Sequence, residues 1–178
     1  NVRIAGGNTN PGAGKILTSD ASGNATWVAP DKIAFKAVPS TSLTVPENTW
    51  YTPTTNEVFD VSGNYNPNSA ATDKNTFIAP VSGYYQLFAF VDCYYGSSIY
   101  NLEDIRIRYT INGVPTTSRS VGALQSYVGF STMTSQFTEL VHLIAGDKVK
   151  VQINQINGGS DPVTLSNFEN WGKLEFAD

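Results

Sequence analysis

From Lys32 onward, apolar and polar residues alternate with a period of two, and clusters of Gly, Pro, Asn, Asp and Ser interrupt the alternation about every ten residues. No window sustains the 3.6-residue period of a helix. The pattern predicts strands near Ile33–Val38, Thr49–Thr52, Glu57–Val61, Thr76–Ala79, Tyr84–Tyr94, Asp104–Asn112, Gln136–Ile144, Lys148–Gln155 and Phe168–Phe176. In the stretch after Asp104, Ile105, Ile107, Tyr109 and Ile111 fall on one face while Arg106, Arg108 and Thr110 fall on the other. Val149, Val151 and Ile153 alternate in the same way with Lys148, Lys150, Gln152 and Asn154. These are half-buried strands, as in an all-β, two-sheet antiparallel sandwich.

The segment from Tyr84 to Val91 departs from this rule. Tyr85, Leu87, Ala89 and Val91 make one apolar face, and Tyr84, Phe88 and Phe90 make a second. A sandwich core covers only one face of a strand, so the aromatic second face needs another cover. Either an identical subunit supplies it or the chain's own loops do. Turn signals fall between the strands at Pro80-Val81-Ser82-Gly83, Asn112-Gly113 and Ala145-Gly146-Asp147. The polar stretches Ser62–Asn75 and Ala123–Ser135 read as exposed loops, although Tyr127, Val128 and Phe130 have strand character.

Asn1 to Pro30 is a different kind of sequence, dominated by Gly, Asn, Ser, Thr and Ala. It reads as a connector, residues 1–30, ahead of a head domain, residues 31–178. Within it, Gly14–Asp20 and Ala25–Val28 flank Ser22-Gly23-Asn24 as a short hairpin, which would be marginal without a neighbour to pack on. The chain opens at Asn1 with neither methionine nor a charged-then-apolar leader, so it is expected to be a piece excised from a longer protein.

Charged residues are 15% of the chain and the formal net charge is −4, with no run of Lys or Arg. The electrostatic footprint of a phosphate-backbone binder is missing, so nucleic acid is not the expected partner. Arg106 and Arg108 read as the solvated or paired side of a strand. The single cysteine, Cys93, forms no intrachain disulfide and sits among apolar neighbours as a buried thiol would. No stretch of about 18 apolar residues is present, so membrane insertion by a helix is not expected.

Several motifs together resemble the globular head of complement's first component. They are Phe59-Asp60 with Asn64-Tyr65-Asn66, Thr76 to Tyr85, Ile111-Asn112-Gly113, Leu140 to Val149 and Trp171 to Phe176. That family shares the tumour-necrosis-factor-like jelly roll, and the match runs in order from about Ile33 to Phe176. The resemblance implies that Pro80 and Gly83 are turn residues, that Asp147 forms a tight corner, and that the last strand lies at the centre of a sheet, with Gly172 allowing close approach. It also implies a homotrimer around a threefold axis, with Tyr84, Phe88, Phe90 and His142 as candidate interface residues. Residues 1–30 carry no collagen-like Gly-x-y repeat. Gly12 to Trp27 is instead similar to segments found before the heads of phage fibres and of surface proteins from Bacteroides-like bacteria.

Catalytic chemistry is thinly supplied. His142 is the only histidine and alternates with Val141 and Leu143, as a strand-face or interface residue does rather than a general base. Gly12-Ala13-Gly14-Lys15 fails as a phosphate loop, because Thr9 stands at the first glycine position and Ile16 follows the lysine. Glu103, Asp104, Asp147 and Asp161 are scattered near turns rather than paired across a cleft. No cofactor is expected. Calcium, which some proteins of the resembled family bind, has candidate ligands in Asp161, Asn167, Glu169 and Asn170. Asn24-Ala25-Thr26 is a formal glycosylation sequon. Tyr94, Tyr95 and Tyr100 around Gly96-Ser97-Ser98 suit stacking on a carbohydrate, or else line the subunit interface. The expectation is therefore a non-enzymatic trimeric head on a viral fibre at the virion surface, attaching to a host glycan or protein and contacting other fibre proteins. A structural trimerisation cap and a secreted bacterial adhesin are the alternatives.

Overall fold

The computed structural model describes residues 13–30, 32–95, 102–116, 119–120, 131–157 and 163–177. Side chains are described for these except residues 93–95, 102–103, 119–120, 131–133, 135, 157, 163 and 166. The chain divides into two units, Asn1–Lys32 and Ile33–Asp178.

In the first unit, β1 (Ile16–Ser19) pairs antiparallel with β2 (Ala25–Val28). The Asp20 carboxylate holds the turn by accepting hydrogen bonds from the backbone N–H groups of Ser22 and Asn24, at 2.9 and 2.8 Å, and from the Asn24 side-chain amide at 3.0 Å. These bonds, that from the Asn24 side chain foremost, hold the Asp20 carboxyl below the usual carboxylate range.

The second unit is built from β3 (Ala34–Pro39), β4 (Leu43–Val45), β5 (Thr55–Asp60), β6 (Tyr65–Asn66), β7 (Thr76–Ile78), β8 (Gly83–Tyr95), β9 (Leu102–Ile111), β10 (Val114–Pro115), β11 (Arg119–Ser120), β12 (Ser131–Leu143), β13 (Lys148–Asn157) and β14 (Val163–Ala177). They form two six-stranded sheets. The first has the order β12-β8-β14-β3-β5, with β4 also on β14; the second has β10-β9-β13-β7-β6, with β11 also on β9. Every paired strand is antiparallel. Among the described residues no helix is long and apolar enough to cross a membrane.

The alternating apolar residues meet between the sheets. Tyr85, Leu87, Ala89 and Val91 of β8 are fully buried, opposed by Ile105, Ile107 and Tyr109 of β9 and by Val149, Val151 and Ile153 of β13. Phe35 lies stacked between Tyr65 and Phe77, with ring centroids 4.8 and 4.7 Å away, and Phe77 in turn touches Tyr85. This aromatic run ties β3, β6, β7 and β8 together across the core.

The turn chemistry works as its residues dictate. Asn112 and Gly113, with φ of 52° and 81°, close the β9–β10 hairpin in the left-handed conformations that a two-residue loop requires. Ala145-Gly146-Asp147 carries the chain from β12 in one sheet to β13 in the other, so it is a corner rather than a hairpin. The Asp147 carboxylate accepts from the Ile144 N–H at 2.8 Å and from the Asn112 side-chain amide at 2.7 Å, locking that corner to the neighbouring turn.

Four expectations are corrected. Thr49–Thr52 is no strand: the chain turns at Asn48, φ 51°, and touches β13 only at the isolated bridges Glu47 to Gln155 and Tyr51 to Ile153. Ser62–Asn75 is not all loop, because Tyr65 and Asn66 pair with β7. Ser131 to Ser135 belong to a strand despite their polarity, since the long β8 offers them a continuous ladder. Thr110, placed by alternation on the solvated face of β9, is 5% exposed. Leu43–Val45 was too short to register as alternation, and it covers the edge of β14 at Val163–Leu165.

Candidate functional site

The outer face of the first sheet is built by the alternation of its strands and read across by their register. In one row Thr138 of β12, Phe88 of β8, Trp171 of β14, Lys36 of β3 and Phe59 of β5 lie side by side. A second row sets His142 beside Tyr84 and Tyr84 beside Phe176. Between them, Leu140 neighbours Gln86 and Gln86 neighbours Lys173. Phe88 stacks on Trp171 with centroids 4.8 Å apart, and Tyr84 meets His142 edge-on at 4.9 Å. Lys36 and Glu169 form an ion pair of 2.9 Å beside the stack.

Among the described residues of the second unit this face is left open. Tyr84 is 46% exposed, Phe59 45%, Leu140 58% and Phe176 66%, exposures that leave large apolar groups against water. Phe59 and Trp171 also wall a groove of about 290 Å³ whose floor is Phe35 and Gly172. The structure thus brings Tyr84, Phe88, Phe90 and His142 onto one surface, with Phe90 opposite Gln136 and Glu169. Sequence reasoning missed Trp171, Phe59, Leu140 and Phe176. Their signal was present as outward positions of β14, β5 and β12, but only cross-strand register shows that they adjoin β8.

Tyr94 and Tyr95 end β8, but their side chains, like Tyr100, lie outside the described residues, as does the side chain of Cys93. Of the four calcium candidates, Asp161 lies outside the described residues, Glu169 faces outward in its pair with Lys36, Asn167 is exposed, and Asn170 is buried in the core. Successive residues of a strand point to opposite faces, so Glu169 and Asn170 do not converge on one ion. Among the described residues no group of three or more His, Cys, Asp or Glu is placed to hold a metal.

The buried polar groups read as structure. Thr55 Oγ1 lies in hydrogen-bond contact with the Tyr65 hydroxyl and with Asn75 Oδ1, which also accepts from the Thr55 N–H at 2.9 Å. Burial pushes the Tyr65 phenol up to about 12, against the opposing hydrogen bonds of Thr55 and Asn170. The Tyr109 phenol is pushed well above its usual value, first by burial and then by the charge of Glu139. Both phenols are protonated at neutral pH, so neither is a base.

No family model matches the chain, and no curated protein matches it in sequence. Among solved structures, the globular domain of the zebrafish complement 1qA protein is similar over 83% of this chain and 100% of its own, with 16% identity and a TM-score of 0.55. Murine APRIL, crystallised at pH 5.0, is similar over 81% of this chain and 100% of its own, with 14% identity and a TM-score of 0.51. At these identities the likeness is one of architecture. With the two-sheet topology, it makes the sandwich of this chain an all-β jelly roll of the complement-head and tumour-necrosis-factor-like kind.

Proposed function

We propose that the chain is a non-enzymatic homotrimeric head at the end of a viral fibre, attaching to a glycan or protein on a host surface. The observation that carries the trimer is the aromatic outer face of the first sheet, where Phe88 adjoins Trp171 and Tyr84 adjoins Phe176 in register, and Leu140 and Phe59 stand on the same face. A patch of this kind on a single chain is an interaction surface, and closed cyclic symmetry covers it with identical copies. The resemblance to trimeric heads supports the same arrangement, and the similarity of Gly12 to Trp27 to segments that precede fibre heads supports the virion surface. The scattered carboxylates and the protonated buried phenols favour binding over catalysis.

Light scattering at micromolar concentration is expected to give three times the chain mass. Phe88→Asp should yield a folded monomer, because a carboxylate buried beside Trp171 in the interface would have no partner. A monomeric parent would refute the trimer. A trimer that binds no glycan or protein of a host surface would refute attachment and leave a structural cap.

A further inference from the structure

The second sheet turns a different face outward. Between the core-facing residues of β9 stand Arg106 and Arg108, with the buried Thr110 next in the same row, and on β13 Lys148, Lys150 and Gln152 point to the same side. Register sets Gln152 beside Arg108 and Lys150 beside Thr110. The segment that bridges to β13 at Glu47 and Tyr51 brings Trp50 and Thr52 alongside. Thr52, Arg108, Lys148, Lys150 and Gln152 line an open depression of about 620 Å³, with Thr110, Asp73 and the Asn112-Gly113 turn completing its wall.

Arg108 is held in this depression before any ligand arrives. Its guanidinium carbon sits 3.8 Å from the centroid of the Trp50 ring, and its Nε donates to Gln152 Oε1 at 2.9 Å. Fixing the fork in this way removes much of the entropy cost of engaging an anion. Partial burial also lowers its pKa, as loss of hydrating water does for a cation. Lys148 pairs with Asp73 at 2.9 Å, whereas Lys150 has no ion-pair partner among the described residues. Three cations against one carboxylate leave two positive charges uncompensated, on a chain whose net charge is −4.

We propose that this depression binds an anionic saccharide, with its sulfate or carboxylate between Arg108 and Lys150 and its hydroxyls on Thr52 and Gln152. The neutral hydrogen-bonding side chains among the cations fit a sugar, which offers hydroxyls around isolated charges. An acidic peptide fits less well. β13 is paired on one side with β9, and on the other it meets β7 at Lys148 and Val149 and the Glu47–Tyr51 segment at Ile153 and Gln155, which leaves only Lys150–Gln152 as edge, too short a stretch to take up a peptide strand by main-chain pairing. A continuous polyanion such as nucleic acid meets Asp73 and the negative charge of the whole chain. The saccharide rests on the reading of the chain as an attachment head, whereas the anion site rests on the depression alone.

The test is calorimetric titration of the full chain with a heparin-derived hexasaccharide, its desulfated and carboxyl-reduced counterpart, neutral maltohexaose and poly-glutamate. The charged hexasaccharide should bind, and more weakly as salt rises. Lys150→Glu should reduce its affinity about tenfold or more, with Arg108→Gln acting likewise. Lys32→Glu, in the first unit, should change it far less, and light scattering should show the parent's mass for all three variants. Binding unaltered by both Lys150→Glu and Arg108→Gln overturns the site. Failure to bind the charged hexasaccharide, equal binding of the uncharged sugars, or poly-glutamate binding as tightly overturns the ligand class. Variant-insensitive binding of maltohexaose would leave the attachment reading standing while this inference falls, and a monomeric parent with intact charged-sugar binding would do the reverse.

Discussion

Gly172 sits where β14 crosses the centre of the first sheet, between β8 and β3, and its missing side chain is a packing requirement. A Cβ built there would lie 2.7 Å from Phe35 Cε1, 3.0 Å from Leu87 Cδ2 and 3.3 Å from Phe35 Cζ. Carbon atoms rest at about 3.5–4.0 Å, so Gly172→Ala requires the Phe35 ring to retreat by roughly 1 Å. It has little room to do so, because Tyr65 stacks on one face and Phe77 on the other. Overpacking of this sort costs about 1–3 kcal/mol, offset by roughly 0.5–1 kcal/mol from the reduced chain entropy of alanine over glycine. The net expectation is a loss of about 1–2 kcal/mol, and a midpoint of thermal unfolding lower by roughly 2–8 °C for a chain of this size.

Urea titration followed by circular dichroism, on the parent and on Gly172→Ala, reads this directly, with an unchanged m-value as the sign that stability has altered and the surface exposed on unfolding has not. Phe35→Leu supplies the control. It trims the ring that the new methyl strikes, so the double variant should lose less than the two single losses added together. A neutral or stabilising Gly172→Ala would show that the Phe35 ring is free to move and that the aromatic run does not hold the sheets in place. Strict additivity with Phe35→Leu would show that the methyl strikes something else.

The buried phenols make the fold alkali-sensitive. Tyr65 is about 12 when folded against an ordinary 10.0, so its contribution is fully present below pH 10 and is lost as pH rises toward 12. That is roughly 2–3 kcal/mol, and Tyr65→Phe should flatten, though not abolish, the alkaline fall in urea midpoint, since Tyr109 titrates as well. Asp147→Ala removes both side-chain hydrogen bonds at the inter-sheet corner and should cost about 1–2 kcal/mol in denaturant titration while leaving the light-scattering mass unchanged.

How much was legible follows from what alternation encodes. β8, β9 and β13 announce themselves because each carries several inward apolar residues in alternation, β12 through Phe137, Val141 and Leu143, and the sheet they belong to follows once the corner at Asp147 is seen to change layer. Short edges such as Leu43–Val45 and Tyr65–Asn66 are too brief to carry a period, and the polar Ser131–Ser135 stretch is a strand only because β8 runs beside it. The spare aromatic face was visible in Tyr84, Phe88 and Phe90 alone. Its extension through Trp171 to Phe59 depends on register between strands distant in sequence, which no local pattern states. The same holds for Arg108. On its own strand it reads as an ordinary solvated arginine, and only pairing with Gln152 and the approach of Trp50 hold it in place.

The two outer faces can carry different chemistry because one core serves both sheets. The residues between the sheets determine that the chain folds, and the outward positions of every strand are then free to carry different chemistry. Here the first sheet's outer face is aromatic and the second sheet's carries the guanidinium and lysines around Gln152. Sheets in a sandwich stand about 10 Å apart, so whatever covers the first face lies on the far side of the core from the second. A homotrimer closed on the aromatic faces would therefore leave three copies of the basic depression uncovered by those contacts. Small anion sites are individually weak, and three of them carried on one rigid body engage a repeating surface glycan far more firmly than one does, provided that its charges are spaced to reach them together. Trimerisation would then contribute to recognition as well as to stability.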